Sequence, residues 1–101
     1  MTFRPAFRPE ASADVQAAHD WYEGERLGLG ERLRGAIDAV LILLAQNPTF
    51  RPVIYRDIRR VALRKFPYSL YYRIDQNRLD IVAFLHHRRS PRVWRSRARE
   101  V

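Results

Sequence analysis

The chain contains no cysteine, four glycines and a single lysine, Lys65. Without cysteine there can be neither a disulfide nor a thiolate metal site, which fits a reducing cytoplasm. No His/Asp/Glu spacing resembles a metal site, and no glycine-rich loop is present to cradle phosphate, so neither a metal nor a cofactor is expected. No apolar run approaches the roughly 18 residues of a membrane span. The longest, residues 39–45, has the length of a core-helix segment. The start, Met1-Thr2-Phe3-Arg4-Pro5, lacks the apolar stretch of a signal peptide. A cytoplasmic protein without membrane contact is the expectation.

What is present in excess is arginine, 18 of the 19 cations, and it is unevenly spread. Residues 1–50 hold five Arg and seven acids, a net −2, whereas residues 51–101 hold fourteen cations and four acids, a net +10. GC-rich coding can raise arginine throughout a chain. The asymmetry points instead to an acidic counterpart for the second half, either nucleic acid or an acidic protein that covers it.

With 101 residues and no repeat, low-complexity tract or linker, residues 1–101 read as one domain. Residues 3–7 are a short first strand. Arg8-Pro9-Glu10 opens a helix, because Pro suits the first helical position and an acid complements the positive helix end. Ala11, Val15, Ala18 and Tyr22 form its apolar stripe, with Trp21 beside it. Gly24 and Leu27-Gly28-Leu29-Gly30 turn the chain. A second helix over about 30–46 shows an apolar face of Leu29, Leu33, Ala36, Ile37, Val40 and Leu44, and Asn47-Pro48 stops it. Strands follow over 54–64, 66–74 and 78–86, with Pro67 marking a strand start or bulge and Asp75-Gln76-Asn77 a hairpin turn. The expected fold is α+β, a two-layer β-α-α-β-β-β arrangement with a helical hairpin packed on a mostly antiparallel sheet. The hairpin covers one sheet face. The other is expected to be open and to carry alternate aromatic and Arg side chains.

The final strand runs into cations. Ile81-Val82-Ala83-Phe84-Leu85 reads as buried strand, and His86-His87-Arg88-Arg89-Ser90-Pro91-Arg92 follows where it leaves the core. Polar groups fixed at a strand end can be aimed at a ligand. Histidine exchanges protons near neutral pH, and arginine grips phosphate through two donors.

Together these segments resemble the RelE/ParE superfamily of toxins from bacterial type II toxin–antitoxin systems, often called plasmid stabilisation proteins. The likeness runs from about Glu10 to Arg97. It is carried by Ala17-Ala18-His19-Asp20-Trp21-Tyr22-Glu23, Leu27-Gly28-Leu29-Gly30-Glu31-Arg32-Leu33, Asn47-Pro48, Ile58-Arg59-Arg60, Phe66-Pro67-Tyr68-Ser69-Leu70-Tyr71-Tyr72 and His86-His87-Arg88-Arg89-Ser90-Pro91, with Trp94 and Arg97. The resemblance implies a cognate antitoxin whose C-terminal segment wraps the toxin in a hetero-oligomer. It also implies growth arrest by one of two routes: ribosome-dependent mRNA cleavage, as in RelE-like members, or non-enzymatic block of DNA gyrase, as in ParE-like members. The RelE-like route, a metal-independent endoribonuclease, is the first reading. A basic RNA-binding module without toxin activity is the third reading.

The pattern departs from both toxin types. Lys65 stands alone where some RelE-like enzymes use several lysines. Others use a carboxylate, an Arg and a His-Tyr pair. Arg59 or Arg60 matches the Arg, and His86 or His87 the His, but no Glu occurs between Glu31 and Glu100, leaving Asp57 as the one substitute. No Tyr follows the histidines, and Arg-Ser-Pro stands where gyrase-directed members carry an Asp.

RNA cleavage needs a base, an acid and cations. The catalytic candidates are therefore Arg59, His86, His87 and Arg89. Arg60, Arg64, Arg88 and Arg92 are candidates for binding phosphate or a partner. Adjacent strand residues point to opposite faces, so at most one of the two histidines faces the site. Ordinary structural roles compete with these. The histidines can simply bond backbone or water. Arg95, Arg97 and Arg99 read as a solvated tail, Trp94 as the anchor of a terminal helical turn, and Tyr68 and Tyr72 as core residues on one strand face. His19 and Trp21 read as structural.

Overall fold

A computed structural model of the protein describes residues 3–98. The chain enters as strand β1 (Arg4–Phe7) and turns at Arg8 into helix α1 (Pro9–Glu25), where Pro9 sits at a position whose N–H would have no partner. Helix α2 (Leu29–Gln46) folds back on α1 after a tight connection. Gly28 precedes it with φ 92°, a left-handed conformation open to a residue without Cβ. The start of α2 is capped from the neighbouring helix. The Glu23 carboxylate accepts the N–H of Gly28 at 3.0 Å and of Gly30 at 2.9 Å, and these two bonds hold its carboxyl below the ordinary value.

Gly30 is crowded by side chains of α1. A Cβ there would lie 2.6 Å from His19 Cδ2 and 2.9 Å from Glu23 Oε1. In an open helix, Gly→Ala gains about 1 kcal/mol of propensity. Here Gly30→Ala should instead lower stability by about 1–3 kcal/mol, the cost of overpacking, as measured by urea denaturation.

His19 joins the two helices beside this contact. Its Nδ1 lies 3.1 Å from Asp20 and its Nε2 3.1 Å from Glu31. The bond to Asp20 first, and then that to Glu31, raise its pKa above 6.5. A raised folded-state pKa stabilises the fold fully below the unfolded value, and that contribution fades as pH climbs through the folded value. Thermal stability should therefore fall from pH 6.5 upward in the parent. His19→Gln should lack this component when melted across pH 6 to 9.

After Asn47-Pro48 come β2 (Val53–Tyr55), β3 (Ile58–Ala62), β4 (Tyr68–Asp75) and β5 (Arg78–His86), then helix α3 (Pro91–Ala98). The expected single strand over 54–64 is corrected: it breaks at Arg56-Asp57, where Arg56 takes φ 53°, into two antiparallel strands. Pro67 does precede a strand start, and Gln76 makes the β4–β5 turn at φ 57°. One sheet results, in the order β1-β5-β4-β3-β2, antiparallel except for the β1–β5 pair.

Two apolar layers flank this sheet. Beneath the hairpin, Ala11, Val15, Leu33, Ile37 and Leu44 pack on Val61, Leu70, Tyr72, Leu79, Ile81 and Phe84. The Tyr72 hydroxyl is satisfied there by donating to Pro48 O at 2.7 Å. The second face is not open, contrary to expectation. Ile58, Tyr71, Val82, Ala83 and Leu85 are buried under Trp94 and Ala98 of α3. Ser90 Oγ accepts the Arg92 N–H at 3.2 Å and Pro91 follows as the first helical residue, so the motif that ends the cation cluster also starts this helix. Trp94 anchors it by stacking on Tyr71 at 5.0 Å.

Candidate functional site

A β-bulge decides which residues meet. Tyr72 pairs with Ile81 and Tyr71 with Ala83, so Val82 is an extra residue in β5. Val82 and Ala83 both join the layer under α3, and the alternation shifts by one beyond them. Phe84 and His86 therefore face the helical hairpin, while Leu85 and His87 lie on the α3 side. Only one of the two histidines is on either face, as the alternation predicts.

His87 enters a shallow cleft of about 270 Å³ with Arg60, Ala62, Ser69 and Tyr71. Arg60 pairs with Tyr71 and Ala62 with Ser69, which brings four strand residues to one end of the α3 face. His87 Nε2 lies 3.0 Å from Ser69 Oγ, and its backbone N–H donates to Pro67 O at 2.9 Å, so the ring is held at Nε2 and the main chain behind it is held as well. Ser69 is 1% exposed and cannot reach a substrate as a nucleophile. It positions His87. Tyr71 is covered by Trp94. The chemistry presented to solvent is thus one imidazole and one guanidinium: proton exchange at a single group, beside a cation able to hold phosphate or a carboxylate.

The remaining predicted residues lie elsewhere. Arg59 pairs with Tyr72 on the hairpin side and donates to Arg51 O, so it does not share a face with His87. His86 packs edge-on against Tyr68 at 5.2 Å, and its Nδ1 accepts the Arg88 N–H at 3.0 Å. Arg89 lines a second hollow with His86, Tyr68 and Trp21. Burial raises the Tyr68 phenol above its ordinary pKa, with Arg89 opposing. Arg64 sits beyond β3 beside α2. Arg88 and Arg92 are exposed around the start of α3. The four catalytic candidates therefore divide into His87 on the α3 face, His86 with Arg89 on the hairpin face, and Arg59 on a more distant row of that same face.

Asp57 does not complete the His87 cleft. Its carboxylate is bound by Arg73 at 2.8 Å, and this bond, with burial opposing, raises the Arg73 pKa. Arg73 is four residues from Ser69 along β4, about 13 Å at strand spacing. No group of three or more potential metal ligands occurs among the described residues.

One arginine of the expected solvated tail needs correction, Arg97, whereas Arg95 is exposed. Arg95 lies over the rings of Tyr55 and Trp94, at 5.1 and 5.4 Å. Arg97 is 14% exposed and makes a 2.6 Å ion pair with Asp14 of α1. Arg99 falls outside the described residues. The Asp14 signal was present in the sequence, since an acid at i+3 from Ala11 and i−4 from Ala18 lies within the apolar stripe. Ser69 gave a similar signal, one small polar residue in an apolar strand.

Comparison with known proteins follows the same outline. Residues 6–91 match the family described as ParE toxin of type II toxin–antitoxin system, parDE. No curated protein sequence is significantly similar. Among solved structures, the chain resembles one from a chromosomal ParDE system of P. aeruginosa, at TM-score 0.73 and 19% identity, covering 84% of this chain and 96% of that one. It also resembles a chain of the RelBE2 toxin–antitoxin complex of Mycobacterium tuberculosis, at TM-score 0.60 and 18% identity, with 85% and 99% covered. At such identities the two structures support the fold, and the family match carries the rest.

Proposed function

Because the chain belongs to the ParE toxin family of type II toxin–antitoxin systems, we propose that it arrests growth by binding its target rather than by cutting it, with DNA gyrase as that target and a cognate antitoxin holding it inactive. The observation behind this reading is the composition of the His87 cleft. Cleavage through a 2′-hydroxyl requires one group to take a proton and another to give one. Among the described residues, only a buried Ser69 and a covered Tyr71 stand beside His87 and Arg60 as polar groups of the cleft, while Asp57 is engaged by Arg73 at the other end of the face. Arginine stays protonated and cannot be the missing base.

A supercoiling assay with purified gyrase tests the proposal. Inhibition is expected at the concentrations that arrest growth, and none at those concentrations would sink it. One observation favours the alternative, ribosome-dependent mRNA cleavage: Arg60 and His87 do converge. The two readings differ in magnitude. For an enzyme, His87→Ala should reduce activity about 10²–10⁴-fold, the usual value of a general acid–base group. For a binding toxin, loss of one exposed contact should change potency by less than about tenfold. Mapping mRNA ends in cells would reveal A-site cuts that disappear in Arg60→Ala and His87→Ala. Unimpaired growth on expression without antitoxin would reject both and leave a basic RNA-binding module.

A further inference from the structure

The hollow on the hairpin face lies outside the His87 cleft and has no part in the function proposed above. It has a volume of about 380 Å³, within the range of small-molecule sites, and lies between α1 and the end of β5. Its floor is a stripe of α1. Ala13, Ala17 and Trp21 recur at i, i+4 and i+8, and all three are exposed. The two alanines leave the helix surface flat beside an indole that is 59% exposed. A ring so placed offers a planar ligand a surface to stack on.

Hydrogen-bond donors gather at the opposite wall. His86 Nδ1 accepts the Arg88 N–H at 3.0 Å, so the ring proton sits on Nε2, which bonds no described residue. The Tyr68 ring lies edge-on to His86 at 5.2 Å, and its hydroxyl also lacks a described partner without being sealed from solvent. The Arg89 guanidinium makes no ion pair with a described residue, and it is close enough to Tyr68 for its charge to act on the phenol. The carboxylate in the lining is occupied, because Asp14 meets Arg97 through both oxygens and the Phe84 N–H through one. Among the described residues the hollow thus offers one uncompensated cation, two neutral donors and no free carboxylate.

We infer that this hollow binds a nucleotide, its base laid on Trp21 and the Ala13–Ala17 surface and its phosphate held by Arg89, His86 Nε2 and the Tyr68 hydroxyl. Three donors that include one cation suit a phosphate, which presents an oxygen to each. The exposed indole beside them takes a planar ring, and stacking of a base on an aromatic tolerates any base. A bare carboxylate would satisfy the donors and leave the indole unused. An apolar ligand would leave the donors unpaired. The same chemistry belongs to a free nucleotide and to the phosphorylated end of a strand, and the experiment separates the two. The site serves binding alone, since Nε2 already carries its proton and cannot take one up. It stands whether or not gyrase is the target.

Titration of the whole protein with adenosine 5′-monophosphate, followed by calorimetry and tryptophan emission, tests the site. The ligand should quench Trp21 and leave Trp94, buried on the other face, unchanged. Trp21→Phe should keep most of the affinity and lose the quenching. Trp21→Ala should weaken binding about tenfold or more, the loss of one stacked base. Arg89→Gln should weaken it about tenfold and flatten its dependence on salt. Both side chains are exposed, so these variants should melt like the parent without ligand. Arg78→Gln removes the same charge at the other end of β5 and should change affinity by less than about twofold. Adenosine and inorganic phosphate should each bind at least about tenfold more weakly than the nucleotide, because each makes only part of the contacts. A 5′-phosphorylated tetranucleotide that binds about tenfold tighter than the mononucleotide identifies a strand end as the source, and equal or weaker binding identifies the free nucleotide. Neither heat nor quenching at about 1 mM nucleotide, inorganic phosphate bound as tightly as the nucleotide, or parent-like affinity in both Trp21→Ala and Arg89→Gln would overturn the site.

Discussion

Replacing Asp14 with alanine should lower stability by about 3 kcal/mol, the low end of the range for removing one partner of a buried ion pair. For a domain of this size that corresponds to a fall in Tm of more than about 10 °C. The effect is large because Asp14 completes a sheet edge. Strand β1 ends its pairing at Phe7–Ile81, so beyond Ile81 the outer side of β5 has no neighbouring strand. The Arg8 N–H donates to Ile81 O, Arg97 Nη1 donates to Val82 O at 3.1 Å, and the Phe84 N–H donates to Asp14 Oδ2 at 3.1 Å. The Asp14–Arg97 pair therefore substitutes for a missing strand and closes an edge that would otherwise template another chain. Removing the carboxylate leaves the Phe84 N–H without its acceptor and Arg97 without its anion. Thermal denaturation of Asp14→Ala, Arg97→Ala and the double variant checks this. The double variant should lose clearly less than the sum of the singles. Full additivity would show that the two residues act separately.

The same edge explains what could and could not be read from the sequence. Both hairpin helices were legible, because their apolar spacing, Pro9, Gly28 and Asn47-Pro48 all act locally. The two long strands, β4 and β5, were legible from their β-branched and aromatic runs. The alternation that separates His86 from His87 was legible too. The partners of each histidine were not. Without the extra Val82, residue 87 would share the face of Ile81 and Tyr72, and hence of Arg59. The bulge moves it to the face of Arg60. Nothing in Ile81-Val82-Ala83-Phe84-Leu85 announces a bulge, since all five residues suit either face. What holds it is remote in sequence: Arg97 donates to the carbonyl of the extra residue, Val82, and Asp14 accepts the N–H of Phe84 beyond it. The break between β2 and β3 was hidden for a related reason, because Arg56-Asp57 carries no glycine and its turn depends on a left-handed arginine.

The second large effect concerns α3. Trp94→Ala should lower stability by about 3 kcal/mol or more, within the range for removing a buried aromatic from a core. Trp94 is 4% exposed, stacks on Tyr71 and lies edge-on to Tyr55 at 5.9 Å. A helix of eight residues does not persist in water by itself, so its stability comes from docking. Once Trp94 is gone, the economical response is for α3 to leave the sheet, uncovering Ile58, Tyr71, Val82, Ala83 and Leu85 together. The penalty then saturates at the free energy of undocking. Arg97→Ala in the Trp94→Ala background should cost much less than in the parent, because Arg97 departs with the helix. Asp14→Ala should keep part of its cost, because Asp14 still holds the Phe84 N–H. Hydrogen exchange can distinguish this from global loosening: amides of residues 94–98 should lose protection while those of α1 and α2 retain it. Equal loss of protection in all three helices would show that α3 is part of one cooperative unit. In that case the face bearing the His87 cleft could not be uncovered without unfolding the protein.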